Sequence, residues 1–356
     1  MGYKERLEII RNIEKARNSK VLCLLTSLRS NIPAQMAEDQ VRQIYDHLLS
    51  FREEQPGKIP KIDVFLVSNG GSGTVPWRIV SLLREFSNQF AVLIPYRAYS
   101  AASLLALGAD EILMHPFGEM GPIDPSVSNE YNPTDPITKQ RLAISVEDVR
   151  AYVNFIKETV GITHEDELIK AVEALVEKVH PLALGNIERF ISQSRMIAKK
   201  ILKTHMRTDD ERIIDDIIEN MASKLYFHGH PINRLEAKED LKLKVNTELS
   251  PDIEKYIWRL YLDYESEFEN KSIFNPAGDL ANLIEVTAES IMKPIIITKV
   301  YDNLLHAVVE STVMSCRFTT KRRYTLFRLF GQQGLQTSIQ EDILEQGWNC
   351  SPAPKV

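Results

Sequence analysis

Ser100 is the residue whose type and position most clearly fit nucleophilic chemistry. It follows the apolar run 91–95 and stands in the stretch YRAYSAAS, where small residues come directly after it. A serine at such a strand-to-helix junction exposes its hydroxyl and has a free backbone N–H, that of Ala101, beside it. Acyl transfer needs both an attacking oxygen and hydrogen-bond donors where the oxyanion forms. The alternative is that Ser100 only caps a helix, which is a common position for serine.

A glycine-rich turn, SNGGSG over residues 68–73, is the second stretch with chemical potential. It follows the apolar run 62–67, and its glycines let the backbone approach a ligand closely with N–H groups directed into a pocket. The turn has neither a GxGxxG fingerprint nor a Walker lysine, so it does not match a dinucleotide or nucleotide motif. A purely structural tight turn is the alternative.

The elements that must position both stretches alternate between strands and helices. Short runs rich in Val, Ile and Leu predict strands, and segments with apolar residues at helical spacing lie between them. The predicted strands are 21–28, 62–67, 91–95 and 111–114, and the predicted helices are 37–54, 76–86 and 101–107. This order favours βαβ units with a parallel sheet, and therefore an α/β fold.

The second half of the chain is predicted to be mostly helical before its composition changes. Residues 118–144 look irregular, and helices are predicted at 146–160, 164–179, 187–205 and 210–225. Beyond residue 246 the chain becomes more charged and aromatic, with a helix at 250–268. The alternation in 304–330 predicts a β-hairpin that turns near 319–322, with the cluster Lys321-Arg322-Arg323 at its tip. We therefore predict two domains, residues 1–245 and 246–356.

Several motifs of this chain resemble the serine dehydrogenase proteinase family. They are SNGGSG, AYSAASLLALGADEILMHPFGEMGPIDP, VHPLALGN and FHGHPINRLEAKEDLKLKV, and the similarity extends over residues 5–245. The family is related to signal peptide peptidase and to the proteolytic subunit of Clp. The resemblance implies a crotonase/Clp-like spiral of βαβ units with a C-terminal α+β extension. It also implies a serine peptidase with Ser100 as nucleophile, backbone oxyanion donors at Gly71 and Ala101, and no metal or organic cofactor.

The general base is the open part of this assignment. In the Clp subunit a histidine follows the nucleophile, whereas this sequence has Asp124 at the comparable position. A carboxylate with an ordinary pKa of ~3.9 is too weak a base to activate a serine. Signal peptide peptidases use a lysine, and Lys139 lies at a comparable distance, where it would need a pKa lowered by desolvation. His180 is the second candidate. The alternatives are a solvated loop lysine and a helix-capping or packing histidine.

The composition is that of a globular protein without a surface for nucleic acid. Hydrophobic residues make up 44% of the chain and charged residues 26%, with a formal net charge of −6, whereas phosphate-binding surfaces carry a basic excess. No apolar run is long enough for a membrane span, and the N-terminus lacks a secretory signal, so we expect a cytoplasmic protein. Cys23, Cys316 and Cys350 are too few and too scattered to predict a disulfide framework or a zinc cluster.

The expected partners are a protein or peptide substrate and further copies of the same chain. The resemblance implies a homo-oligomer, a trimer or a multiple of one. Phe155, Phe190 and Ile191, together with the aromatic residues of helix 250–268, would supply apolar interface area, unless that helix packs within its own chain.

Two other functions stay open at this point. A crotonase-type acyl-CoA enzyme would use a similar pair of backbone donors with a carboxylate such as Asp124 as base. A catalytically silent scaffold would keep the fold for partner binding alone.

Overall fold

The predicted α/β class is confirmed by a computed structural model, which describes residues 2–54, 56–123, 126–127, 130–135, 141–142, 144–207, 210–224, 230–284, 294–331 and 334–354. The α-helices are α1 (Tyr3–Arg17), α2 (Glu38–Glu54), α3 (Val75–Phe86), α4 (Ala101–Ala106), α5 (Val146–Asn154), α6 (Glu165–Val176), α7 (Pro181–Leu202), α8 (Glu211–Glu219), α9 (Arg234–Glu239), α10 (Pro251–Glu267) and α11 (Pro276–Asn282). Short π-helical turns continue α5 over Phe155–Thr159 and α8 over Asn220–Lys224. The strands are β1 (Lys20–Thr26), β2 (Ile59–Val67), β3 (Ser87–Ile94), β4 (Arg97–Ala98), β5 (Glu111–Met114), β6 (Glu119–Met120), β7 (Ser126–Val127), β8 (Ile144–Ser145), β9 (Ile232–Asn233), β10 (Val245–Asn246), β11 (Ile295–Glu310), β12 (Met314–Gly331) and β13 (Gly334–Pro352).

The chain divides into two compact units. The first consists of Met1–Ser68, Phe86–Asn88 and Leu249–Val356, and the second consists of Asn69–Glu85 and Gln89–Glu248. This division differs from the predicted domains 1–245 and 246–356, because the N-terminal segment packs with the C-terminal one. Pairing between distant segments of the chain has no signature in local sequence.

The first unit is built on β1 and β2, which run parallel from the pair Lys20↔Ile62 to the pair Leu25↔Val67. Residues 21–25 are almost completely buried, and strands buried on both faces have such continuous apolar runs. Strand β11 pairs antiparallel with β1, and β12 and β13 continue the antiparallel order. The pairing of β1 with β11 is what joins the N-terminal and C-terminal segments.

The C-terminal hairpin differs from its prediction in where it turns. Strand β11 ends at Glu310 and β12 begins at Met314, so the predicted turn at 319–322 is wrong. Lys321, Arg322 and Arg323 lie in the middle of β12, where they form ion pairs with Asp302, Glu341 and Asp342. Alternation of apolar and polar residues continues through both strands, so the pattern reveals strands but not the residue at which the chain reverses.

Two of the aromatic residues of α10, Tyr261 and Tyr264, are buried within the first unit. Tyr261 and Tyr264 are 2% and 1% exposed. The Tyr264 hydroxyl donates to Glu310 Oε1 at 2.7 Å, and the Arg6 guanidinium lies 4.4 Å from the Tyr264 ring centre. For these two rings the alternative holds: they pack within their own chain, in the first unit.

Two of the three cysteines form a disulfide bond that the sequence did not predict. Cys316 and Cys350 are directly paired residues of β12 and β13, with Cα atoms 4.0 Å apart and a sequence separation of 34. Cys23 is free and buried in β1. Strand register brought the two cysteines together, and register cannot be deduced from their scattered positions. Disulfides persist mainly in oxidising compartments, so this bond does not support the expected cytoplasmic location. That location stays a prediction.

The second unit contains the elements around Ser100. Strand β3 pairs parallel with β5 from Ala91↔Glu111 to Ile94↔Met114, and β5 pairs parallel with β10. A small second sheet has the order β4-β6-β9. The short helix α4, all of whose residues are buried, packs on α7. None of the helices in the described ranges has both the length and the apolar character needed to cross a membrane.

Candidate functional site

Ser100 stands between β4 and α4 in an uncommon backbone conformation. Its φ is 53° and its ψ is −113°, a combination that non-glycine residues rarely adopt. The Ser100 side chain makes no capping hydrogen bond to α4, although the residue occupies the N-cap position. Strained residues of this kind persist only where the surrounding structure fixes them, and they are concentrated at functional sites.

Ser103, in the first turn of α4, holds the backbone that follows Ser100. Its Oγ lies 2.6 Å from the Ala98 carbonyl oxygen and 2.7 Å from that of Gly121, and it accepts the Gly121 N–H at 3.2 Å. The side chain is completely buried. Its hydrogen bonds tie the start of α4 to β4 and to the turn after β6, so the backbone on both sides of Ser100 is held.

Tyr99 fixes the segment on the other side. Its hydroxyl donates to Glu119 Oε1 at 2.8 Å, and the Arg97 Nε donates to the same oxygen at 2.8 Å. Burial, with a contribution from the Glu119 hydrogen bond, raises the pKa of Tyr99 to about 12. A Cβ on Gly121 would lie 2.9 Å from the Tyr99 ring, so the ring rests directly on that glycine. The peptide that leads into Ser100 is thus anchored through a neutral phenol.

The glycine-rich turn lies against Ser100. Gly70 has a φ of 97°, and a Cβ on it would lie 2.6 Å from the Tyr99 carbonyl oxygen and 2.8 Å from Ser100 Cβ. Only glycine fits this position without displacing backbone atoms. The close approach places the next residue, Gly71, at the same cavity as Ser100.

A cavity of about 250 Å³ opens beside Ser100. It lies between the turn 71–74, the start of α4 and the middle of α7, and it is lined by Gly71, Ser72, Gly73, Thr74, Ser100, Leu104, Ile123, Phe190, Gln193, Ser194 and Ile197. Ala101 follows Ser100 at the first position of α4, where backbone N–H groups have no acceptor within the helix. Ser100, the glycine turn and the start of a helix therefore meet at one opening.

Of the two predicted bases, His180 is the one that lies within the described residues, and it is not among those that line this cavity. His180 is the N-cap of α7, where its Nδ1 accepts the Leu182 N–H at 3.2 Å and its ring stacks on Tyr131 at 5.0 Å. With 1.5 Å of rise per residue, His180 lies about 15 Å along the helix axis from Phe190, the first cavity residue of α7. Lys139 and Asp124 lie outside the described residues.

Metal ligation finds no support in the described part of the chain. No group of three or more His, Cys, Asp or Glu side chains in those ranges is arranged to hold a metal ion. The cavity beside Ser100 is lined by backbone, hydroxyl, amide and apolar groups. Such a set can attack a carbonyl and hold an oxyanion, which is the chemistry of acyl transfer.

The cavity residues of α7 were not recognised as site residues from the sequence. Phe190, Gln193, Ser194 and Ile197 follow the spacing i, i+3, i+4, i+7, which defines one face of a helix. That spacing predicts a face that packs against something, but it does not reveal that the neighbour is the start of α4. The sequence therefore contained the helical spacing of these residues, but it did not show which element the helix face contacts.

Comparison with known proteins relates the first part of the chain to one family. Residues 2–156 match the family described as ClpP-like SDH-type serine proteinase. An uncharacterized protein of Methanocaldococcus jannaschii is 27% identical over 255 residues, which cover 69% of this chain and 74% of the relative. A second uncharacterized protein of that organism is 26% identical over 135 residues, which cover 36% of this chain and 46% of the relative. The resemblance inferred from the glycine turn and the serine motif is therefore confirmed: over residues 2–156 this chain is similar to the ClpP-like SDH-type serine proteinases.

Proposed function

We propose that this chain is a serine peptidase that hydrolyses peptide bonds through an acyl-enzyme on Ser100. The observation that carries the proposal is the positive φ of Ser100 at a cavity that it shares with Gly71. Such a strained junction presents the hydroxyl to the cavity instead of using it as a helix cap. The similarity of residues 2–156 to serine proteinases supports the same conclusion.

The reaction assigns a role to each residue of the site. Ser100 Oγ attacks the carbonyl carbon of the substrate, and the backbone N–H groups of Gly71 and Ala101 hold the resulting oxyanion. The carbon–nitrogen bond then breaks, and the amine leaves with the proton taken from Ser100. Water hydrolyses the ester, which releases the carboxylic acid and restores the hydroxyl.

The proton of Ser100 passes to one of the two predicted bases. The position of His180 at the far end of α7, with its Nδ1 engaged by the Leu182 N–H, favours Lys139. The variants Lys139→Ala and His180→Ala distinguish them. Loss of the base should lower kcat by several orders of magnitude, whereas loss of a helix cap should cost about 1 kcal/mol of stability and leave kcat nearly unchanged.

A fluorophosphonate probe tests the nucleophile. The serine oxygen attacks phosphorus, fluoride leaves, and the adduct is located by mass spectrometry. The adduct should appear on Ser100 and not on Ser72, a serine of the glycine-rich turn that lines the same cavity. Ser100→Ala should abolish labelling and hydrolysis, whereas Ser81→Ala, a change on the exposed side of α3, should leave labelling unchanged. Labelling that survives in Ser100→Ala would refute the proposal, and the scaffold hypothesis predicts no labelling at all.

The predicted homo-oligomer is part of this proposal and has a surface to support it. The groove between α5, its π-helical turn and α6 is almost wholly apolar, and no residue of α6 is buried. Phe155 on this hairpin is 53% exposed, whereas Ile191 packs with Ile187 inside the second unit and is not available. Light scattering tests assembly, and Phe155→Glu should weaken it. A fully active monomer of 40.7 kDa would contradict it.

A further inference from the structure

Strand β13 is the outermost strand on one side of the large sheet, where the order is β1-β11-β12-β13. It pairs with β12 from Gly331↔Gly334 to Met314↔Pro352. Its 19 residues exceed the usual strand length of about 5–6. Among the described residues, the hydrogen bonds between backbone groups outside the helices and sheets include none from residues 334–352. On its outer side β13 therefore presents backbone N–H and C=O groups to which a further strand can bind.

The first half of β13 has few of the features that usually prevent an edge strand from pairing with another chain. Such features are lysines, prolines, bulges and a short strand. The strand contains no Lys or Arg, and its proline, Pro352, is its last residue. The bulge in its pairing with β12 leaves Leu344 without a direct partner. Residues 334–343 therefore form a regular stretch without lysine, proline or bulge.

The two carboxylates of this stretch are matched by arginines of the neighbouring strand β12. Arg322 Nη1 donates to Glu341 Oε1 at 2.7 Å, and Arg323 Nη2 lies 3.0 Å from Asp342 Oδ2. Each carboxylate thus has a cation beside it within the same chain. The edge therefore lacks the excess of one charge that would repel an approaching strand.

The apolar face of the sheet continues to this edge, where it is uncovered. Leu326 of β12 is 4% exposed and belongs to a buried cluster that includes Phe274 and Leu280. Its direct partner on β13 is Ile339, which lies on the same face and is 42% exposed. Ile343, four residues further along that face, is 53% exposed. A further strand beside β13 would cover both isoleucine side chains.

A second copy of β13 fits this edge in one register. Two antiparallel copies related by a two-fold axis at Ile339 pair residue 339 with itself, and the apolar faces of both copies stay on the same side. Glu341 then lies opposite Thr337, and Asp342 lies opposite Gln336. Each carboxylate therefore meets an uncharged side chain that can hydrogen-bond to it. A slip of one residue would turn the apolar face of the second copy to the other side of the sheet.

We propose that β13 pairs antiparallel with β13 of a second copy of this chain, with the two-fold axis at Ile339. The pairing joins residues 335–343 of the two copies and satisfies their outward backbone groups. It also covers the exposed side of Ile339. The inference goes beyond the proposed peptidase function, because it needs neither Ser100 nor the apolar groove between α5 and α6.

Cysteine cross-linking tests the register. In Ile339→Cys the two thiols face each other across the axis, so oxidation with copper phenanthroline should join two chains. Each thiol loses a proton and one electron to the oxidant, and one S–S bond forms. Ile343→Cys is the matched control on the same face, because its copy lies about eight residues, or roughly 27 Å, further along the strand. The native cysteines do not interfere, since Cys23 is buried and Cys316 is bonded to Cys350.

Charge substitutions test the same register without oxidation. Gln336→Glu places a carboxylate opposite Asp342 of the second copy, twice by symmetry, and should weaken the dimer about tenfold. Gln336→Lys should strengthen it severalfold. Gln346→Glu is the matched control, because it adds the same charge to an exposed position of β13 outside the paired residues. Sedimentation velocity measures the Kd in a Phe155→Glu background, so that assembly through the groove between α5 and α6 does not mask the change.

Each outcome supports or overturns the pairing. A covalent dimer in Ile339→Cys but not in Ile343→Cys, with opposite effects of the two Gln336 substitutions, supports it. A monomeric chain, equal cross-linking of both cysteine variants, or equal Kd values for Gln336→Glu and Gln346→Glu would overturn it. Fluorophosphonate labelling of Ser100 in the same samples reports separately on the peptidase. A labelled monomer contradicts the pairing alone, and a dimer without labelling contradicts the peptidase alone.

Discussion

Replacing Gly70 with alanine should disturb the site and the fold together, although only one methyl group is added. The new Cβ would lie 2.6 Å from the Tyr99 carbonyl oxygen and 3.0 Å from the Ala101 nitrogen, and both are backbone atoms that cannot rotate away. Overpacking of this kind costs about 1–3 kcal/mol. The φ of 97° adds about 1–2 kcal/mol for a residue with a side chain. Alanine reduces the entropy of the unfolded chain, which offsets about 0.4–1 kcal/mol.

The net loss of stability for Gly70→Ala is therefore about 1–5 kcal/mol. Gly73→Ala is the matched control, because a Cβ on Gly73 meets no atom within 4 Å. Urea denaturation of both variants measures the difference. If Gly70→Ala proved as stable as Gly73→Ala, the contact between the glycine turn and Ser100 would not be as close as the structure has it. A folded Gly70→Ala protein should also react more slowly with the fluorophosphonate probe, because Ser100 and Ala101 would have shifted.

Three further measurements address strain, pH and the disulfide. Ser100→Gly should be about 1 kcal/mol more stable than Ser100→Ala in thermal denaturation, because glycine accepts a φ of 53° freely; equal stabilities would mean that no strain is stored there. Burial lowers the pKa of His47 to about 4, so the unfolded chain binds more protons between pH 6.5 and 4. His47 alone should lower stability by up to about 3 kcal/mol as the pH decreases through that window, so the dependence should be shallower in His47→Gln. Reduction of the disulfide between Cys316 and Cys350 opens a loop defined by a separation of 34 residues and should cost about 3–4 kcal/mol in urea denaturation, whereas an unchanged midpoint would contradict the cross-link.

The parts of the fold that local patterns determine were predictable. Strand β5 was predicted at its observed bounds, and the predicted starts of α2 and α3 lie within one residue of the observed ones. These bounds were predictable because the apolar residues of a strand or helix follow its own period and stop where the buried element ends. The resemblance to the proteinase family implied that the glycine turn and Ser100 share one site, because it assigned the oxyanion donors to Gly71 and Ala101.

The parts that depend on long-range pairing were not predictable. Strand β11 joins β1 across nearly the whole chain, and the partners Cys23 and Glu310 give no local sign of it. Strand β13 was missed, and with it the disulfide to β12. The role of α7 at the cavity could not be predicted for the same reason. The sequence predicts a helix face, whereas the fold determines which element that face contacts.

The backbone conformation of Ser100 bears on whether the protein is catalytic or is a silent scaffold that has kept the fold. A scaffold needs buried strands and packed helices, and nothing in that requirement calls for a positive φ at residue 100. Maintaining it requires the buried Ser103 network, the Tyr99–Glu119 hydrogen bond and a glycine at position 70, all of which restrict the sequence without adding core. What this arrangement provides is a hydroxyl that is not engaged as a helix cap, beside a cavity whose described lining residues carry no charge. Strain that is held from several sides and that exposes one nucleophile is more readily explained by acyl transfer than by packing.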